Sequence, residues 1–80
     1  MLDDWSEINW HGVKSIQRTY SDGTDVIISI RMSNDCYEIW TIVEHRVSGP
    51  VESMNCFVGT YHDAIENMLV EAKGWDLDFL

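Results

Sequence analysis

Residues Asp25 to Val47 constrain the fold more than any other stretch of this chain. They read Asp25-Val-Ile-Ile-Ser-Ile-Arg-Met, then Ser33-Asn34-Asp35, then Cys36-Tyr-Glu-Ile-Trp-Thr-Ile-Val-Glu-His-Arg-Val47. β-Branched and aromatic residues fill both arms, and polar turn formers separate them, which is the pattern of a β-hairpin. A two-residue Asn34-Asp35 turn pairs Ser33 with Cys36, and the ladder then runs Met32–Tyr37, Ile30–Ile39, Ile28–Thr41 and Val26–Val43. This register gathers the apolar residues on one face and sets Arg31 opposite Glu38, a favourable cross-strand pair. A three-residue turn would instead place Glu38 opposite Ile30 on the apolar face. The two-residue register is therefore expected, and Asn and Asp tolerate the left-handed conformations such a turn uses.

The rest of the chain is read around that hairpin. Gly12 to Tyr20 precedes Ser21-Asp22-Gly23-Thr24, a strong turn signal, and reads as a first strand. A strict Asp22-Gly23 turn puts Val13, Ser15 and Gln17 on the core side, whereas a bulged turn puts Ile16 and Tyr20 there. Both registers remain open. Lys14 and Arg18 resemble charges that protect an edge strand. Beyond the hairpin, Ser48-Gly49-Pro50 breaks the third strand, and Val51 to Gly59 reads as a fourth. Met54, Cys56 and Val58 fall on one of its faces and Phe57 on the other.

Thr60 opens a helix, with Asp63 at the third helical position and Gly74 placed as a C-cap. Tyr61, Ile65, Met68 and Ala72 form a stripe suited to covering the sheet, while Val70 points away from it. The tail Trp75-Asp-Leu-Asp-Phe-Leu80 is either a short fifth strand, with its aromatic residues inward and Asp76 and Asp78 outward, or an acidic-aromatic docking peptide. Met1 to His11 suits one or two helical turns, with Trp5 or Trp10 lying across the edge of the core. The expected fold is a single α+β domain spanning residues 1–80. It is an antiparallel sheet of about four strands, with a C-terminal fifth as an option, covered on one face by a single α-helix.

The eighty residues are 45% hydrophobic, too rich in core formers for a disordered chain. A domain of this length buries only about 60% of the surface its unfolded chain exposes, so stability is thin. There is no apolar run long enough for a transmembrane helix and no signal-peptide pattern, so a cytoplasmic location is expected. Cys36 and Cys56 form no CxxC and are read as reduced, partly buried thiols. His11, His45 and His62 have no ligand spacing to one another or to a cysteine. The sequence contains no nucleophile motif and no glycine-rich phosphate loop. No catalytic residue, metal site or cofactor is expected, and the chain is not read as an enzyme.

Charge then limits the choice of partner. Fourteen Asp and Glu against five Lys and Arg give a net charge of −9, which disfavours direct nucleic-acid binding and anionic membranes and favours a basic protein. Two surfaces are candidates. The helix-free face of the hairpin carries Glu38, Trp40, Ile42 and Glu44, an aromatic anchor with a charged rim. This face is equally open to burial under the N-terminal segment or to pairing with a second copy as a homodimer. The termini carry Asp3, Asp4, Glu7, Asp76 and Asp78, which would form one acidic patch if the ends meet. Duplex DNA about 30 Å long carries roughly 18 phosphates, so fourteen carboxylates spread around the surface do not mimic it fully. Competition for a few Arg and Lys side chains is feasible.

In size, acidity, aromatic richness and sheet-plus-helix pattern the chain resembles the small acidic α+β proteins with which phages inhibit host defence, including anti-CRISPR and anti-restriction proteins. The resemblance is one of type, matches no motif and carries no residue role. It implies a non-enzymatic inhibitor of a basic, nucleic-acid-handling protein acting in the host cytoplasm. Immunity proteins that neutralise basic nuclease toxins share the same electrostatic character. A structural or homo-oligomerisation module using the outer sheet face is the remaining alternative.

Overall fold

Five antiparallel strands lie side by side in chain order, and one helix crosses a single face of the sheet. A computed structural model describes residues 4–45, 49–57 and 59–79. The strands are β1 (Ser6–Trp10), β2 (Val13–Thr19), β3 (Asp25–Met32), β4 (Tyr37–His45) and β5 (Gly49–Phe57), followed by α1 (Tyr61–Phe79). The fold is thus the expected α+β class, but the extra strand comes from the N-terminus and the tail is helical. No helix among the described residues is long and apolar enough to cross a membrane.

The central ladder has the register read from the sequence: Met32 opposes Tyr37, Arg31 opposes Glu38, and Val26 opposes Val43. Ser33 N–H donates to the Cys36 carbonyl at 2.8 Å. The turn itself differs from expectation, because neither Asn34 nor Asp35 has a positive φ. The register therefore follows from keeping Glu38 off the apolar face and opposite Arg31.

β1 corrects the helical reading of residues 1–11. Trp10 opposes Val13 across a two-residue turn whose residues, His11 (φ 51°) and Gly12 (φ 82°), are both left-handed. Such a turn matches the twist of its flanking strands, and histidine is among the side chains that tolerate this conformation. β2 is consequently an interior strand, so neither Lys14 nor Arg18 is an edge guard. The next turn takes the bulged form. Gly23 N–H donates to the Tyr20 carbonyl at 3.0 Å, Tyr20 N–H to the Thr24 carbonyl at 2.8 Å, and Gly23 has φ 90°. Thr24 N–H also donates to Asp22 at 2.9 Å, and that bond leads in holding the Asp22 carboxyl below its usual range. The extra residue selects the face: Ile16 and Tyr20 enter the core, and Ser15 goes to the opposite side.

Ser15 and Ser29 are fully buried there, opposite each other, with their hydroxyl oxygens 2.7 Å apart. The Ser15 hydroxyl donates to the Val13 carbonyl at 3.0 Å, which leaves Ser29 as the donor within the pair. β5 begins at Gly49-Pro50, earlier than expected, and lies at the sheet edge, where a missing proline N–H is tolerated. Val47 and Val58, assigned to strands from the sequence, lie outside the described residues.

α1 starts as expected, with the Thr60 hydroxyl accepting the Asp63 N–H at 3.1 Å. Its buried line is Ala64, Met68 and Ala72, with Ile65, Leu69 and Trp75 partly buried. Tyr61, expected in that line, is 46% exposed, while Val70 is exposed as expected. Against them pack Trp5, Ile16, Val26, Ile28, Ile30 and Ile39. The alanines let the helix approach the sheet closely over β3 and β4.

Gly74 does not end the helix. α1 continues through it to Phe79, and the continuation breaks the alternation expected for a strand: Asp76 turns inward and Leu77 is 83% exposed, while Trp75 stays inward and Asp78 outward as expected. A helix puts Asp76 on the face of Ala72, four residues earlier, so the alternation read from the tail does not apply. A β-carbon on Gly74 would meet nothing within 4 Å, and its φ is not left-handed. Gly74→Ala is therefore expected to stabilise the protein by about 0.5–1 kcal/mol, read as a higher urea midpoint at unchanged slope.

Candidate protein-binding surface

The outer, helix-free face of the sheet is built by the residues that alternate with the core. In its register Ser29 opposes Trp40, which opposes Met54, and Ile27 opposes Ile42, which opposes Glu52. Ile27 and Ile42 are 4% and 5% exposed although no helix covers this side. Ile42, expected at the contact surface, is thus part of the fold's own packing. Its place beside Trp40 is occupied by Met54, 43% exposed.

Trp40 is half-buried and held from two sides. Its indole N–H donates to Glu38 at 3.0 Å, and the Arg31 guanidinium lies 5.3 Å from its ring centre. The indole is thereby fixed in one orientation with part of its surface accessible, as an anchor needs to be. Trp5 does not cover it: Trp5 is buried on the opposite face with Tyr20, their rings 6.4 Å apart and edge to face, whereas the register places Ile8 in the same outer-face row as Ser15, Ser29 and Trp40.

Below Trp40 the same face becomes acidic. Asp25 stands directly opposite Glu44, and Glu52 lies one diagonal step away on β5. Asp25 accepts a hydrogen bond from the Thr19 hydroxyl, whereas Glu44 and Glu52 are exposed. Like charges directly opposite on a sheet oppose folding, so this arrangement is not explained by stability. The sequence reading missed Glu52 and Met54. Their placement follows only from the β4–β5 register, which the Ser48-Gly49-Pro50 break leaves undefined in the sequence.

Two of the terminal carboxylates, Asp4 and Asp76, meet at Arg18, but not as a free acidic patch. Arg18 reaches from β2 to Asp76 at 2.7 Å and lies 3.6 Å from Asp4. Tyr20 donates to the same Asp76 oxygen at 2.8 Å, and the Trp5 indole N–H lies 3.3 Å from both oxygens. Asp76 is therefore a structural junction, saturated by donors from two separate segments. Burial, then the hydrogen bond to Asp76 and its charge, push the Tyr20 phenol well above its usual value of 10.0. Asp4 and Asp78 remain exposed, Glu7 is exposed on β1, and Asp3 lies outside the described residues.

On the inner face, α1 leaves β5 uncovered. An open, mainly apolar groove of about 460 Å3 runs there between Val43, Val51 and Trp75, with Asp22 and His45 among its polar walls. Among the described residues no three His, Cys, Asp or Glu side chains gather as a metal site. No family model matches the chain, and neither a curated protein nor a solved structure matches it.

Proposed function

We propose that this protein acts by binding a basic partner protein through the outer face of β3–β5. The reading is a non-enzymatic inhibitor of a nucleic-acid-handling protein, of the phage anti-defence kind. Trp40 and Met54 form the apolar centre, and Glu38, Glu44, Glu52 and Asp25 supply the carboxylates around it. The carrying observation is the Asp25–Glu44 juxtaposition beside a braced Trp40, because a cationic partner would turn that unfavourable pair into a favourable one. The long dimension of the molecule, 37 Å, corresponds to roughly 22 phosphates of duplex DNA. Fourteen carboxylates on all sides fall short of that, so the target is a cluster of Arg and Lys side chains and not a whole DNA groove. An immunity protein against a basic toxin would use the same face in the same way.

Capture from host lysate, followed by kinetics on the recovered partner, tests this. The association rate should fall at least tenfold between low and physiological salt, and Trp40→Ala should weaken binding by about 2 kcal/mol, or roughly 30-fold. Association indifferent to salt, or a partner surface lacking Arg and Lys, would count against it. Oligomerisation, expected through the outer sheet face, finds its support instead at the edge strand β5, where Val51 on the inner face is 59% exposed. Light scattering that shows a strict monomer at high concentration removes it.

A further inference from the structure

We infer that Cys36 and Cys56 form a thiol–disulfide exchange site that takes low-molecular-weight disulfides and closes into an intramolecular bond stapling edge strand β5 to the β3–β4 turn. Cys36 is the last residue before β4, and Cys56 opposes Glu38 on β5, two positions along on the same face. Their sulfurs lie 2.6 Å apart although twenty residues separate them in sequence. Both thiols are free, Cys56 is exposed and Cys36 half-buried, so a small disulfide reaches the pair from solvent without unfolding. The proposal does not depend on the identity of any protein partner.

Accessibility orders the steps, Cys56 being exposed and Cys36 half-buried. The Cys36 thiol is pushed up to about 11, first by its hydrogen bond with Cys56, then by burial and by the nearby Cys56, Glu38 and Asp35. The exposed Cys56 is accordingly the first nucleophile. Its thiolate attacks one sulfur of RSSR, breaking that S–S bond, releasing RS⁻ and leaving a mixed disulfide on Cys56. Cys36 then loses its proton to solvent and attacks the Cys56 sulfur, displacing the second RS⁻. Two protein thiols are oxidised and one RSSR is reduced to two RSH. The product tethers β5, whose residues 51–56 are all exposed, beside Glu38.

The test incubates the full chain with oxidised glutathione over a series of glutathione ratios and follows intact mass under non-reducing conditions. The expected product is a monomer lighter by two hydrogens, with no retained glutathione, whose digest links the peptides containing residues 36 and 56. Its folded-to-unfolded ratio should rise on the order of 100-fold, since the bond closes a loop of about twenty residues. Cys36→Ser should retain glutathione on Cys56 and show no such rise. Cys56→Ser, with its more accessible thiol gone, should react more slowly than Cys36→Ser. Stable mixed disulfides on the unsubstituted chain, intermolecular dimers, or a linked monomer less stable than the reduced one would each overturn the proposal.

Discussion

Replacing Asp76 by alanine is expected to lower the unfolding free energy by about 2–4 kcal/mol, because one carboxylate serves Arg18, Tyr20 and Trp5 at once. Removing it leaves the Arg18 guanidinium, 14% exposed, with Asp4 at 3.6 Å as its remaining ionic neighbour among the described residues. Breaking a fully buried pair costs more, and the 20% exposure of Asp76 places this case toward the lower end. The whole margin of an eighty-residue domain is about 4–12 kcal/mol, so the variant should be visibly compromised in urea titrations. Asp76→Asn keeps an acceptor and should lose less. An Asp76→Ala protein as stable as the parent would show that the junction is incidental.

The same junction gives the protein an alkaline limit. The folded Tyr20 phenol holds its proton above its usual value of 10.0, whereas the unfolded phenol releases it near that value. The stability this contributes is fully present below about pH 10 and declines as pH rises beyond it, because the unfolded state then binds fewer protons. The decline should be smaller in Asp76→Asn, which removes the charge acting on the phenol but not its burial. Unfolding midpoints measured from pH 8 to 11 give both slopes.

Ile28→Ala should cost about 3–4 kcal/mol and lower the melting temperature by about 15–25 °C. Ile28 is fully buried at the middle of β3, between Ile16 on β2 and Thr41 on β4, beneath the helix. The sheet backbone cannot collapse into the space, so the cavity term adds to the lost transfer energy. Leu77→Ala is the control, since Leu77 is 83% exposed and its truncation should change stability by less than about 0.5 kcal/mol. Equal effects at the two positions would contradict the helix placement.

The surface proposed for partner binding rests on less of the sequence than the core does. Trp40 and the Glu38–Arg31 pair were legible from the hairpin register alone. Ile42 was not: its face was right, yet a face without a helix still buries its middle in this sheet. Asp76 shows the converse, since a charged residue in an alternating tail reads as solvent-facing until the strands bring Arg18 beneath it.

By itself the sequence determined the α+β class, the β3–β4 register, the helix start at Thr60 and the apolar face of the hairpin except at its turn end, where Met32, expected in the core, is 80% exposed. These depend on local periodicity, a capping side chain and a cross-strand pair, all readable over a few residues. Only the tertiary structure decided the rest. Residues 6–10 became a strand because the left-handed His11-Gly12 turn lays them against β2. The bulge at Gly23 chose Ile16 over Ser15 for the core. The helix ran past Gly74 where local signals end it, and contacts far along the chain favour that extension: Trp75 joins the core and Asp76 meets Arg18, 58 residues away. A helix propensity penalty of about 1 kcal/mol at one glycine is outweighed by an ion pair and a half-buried indole.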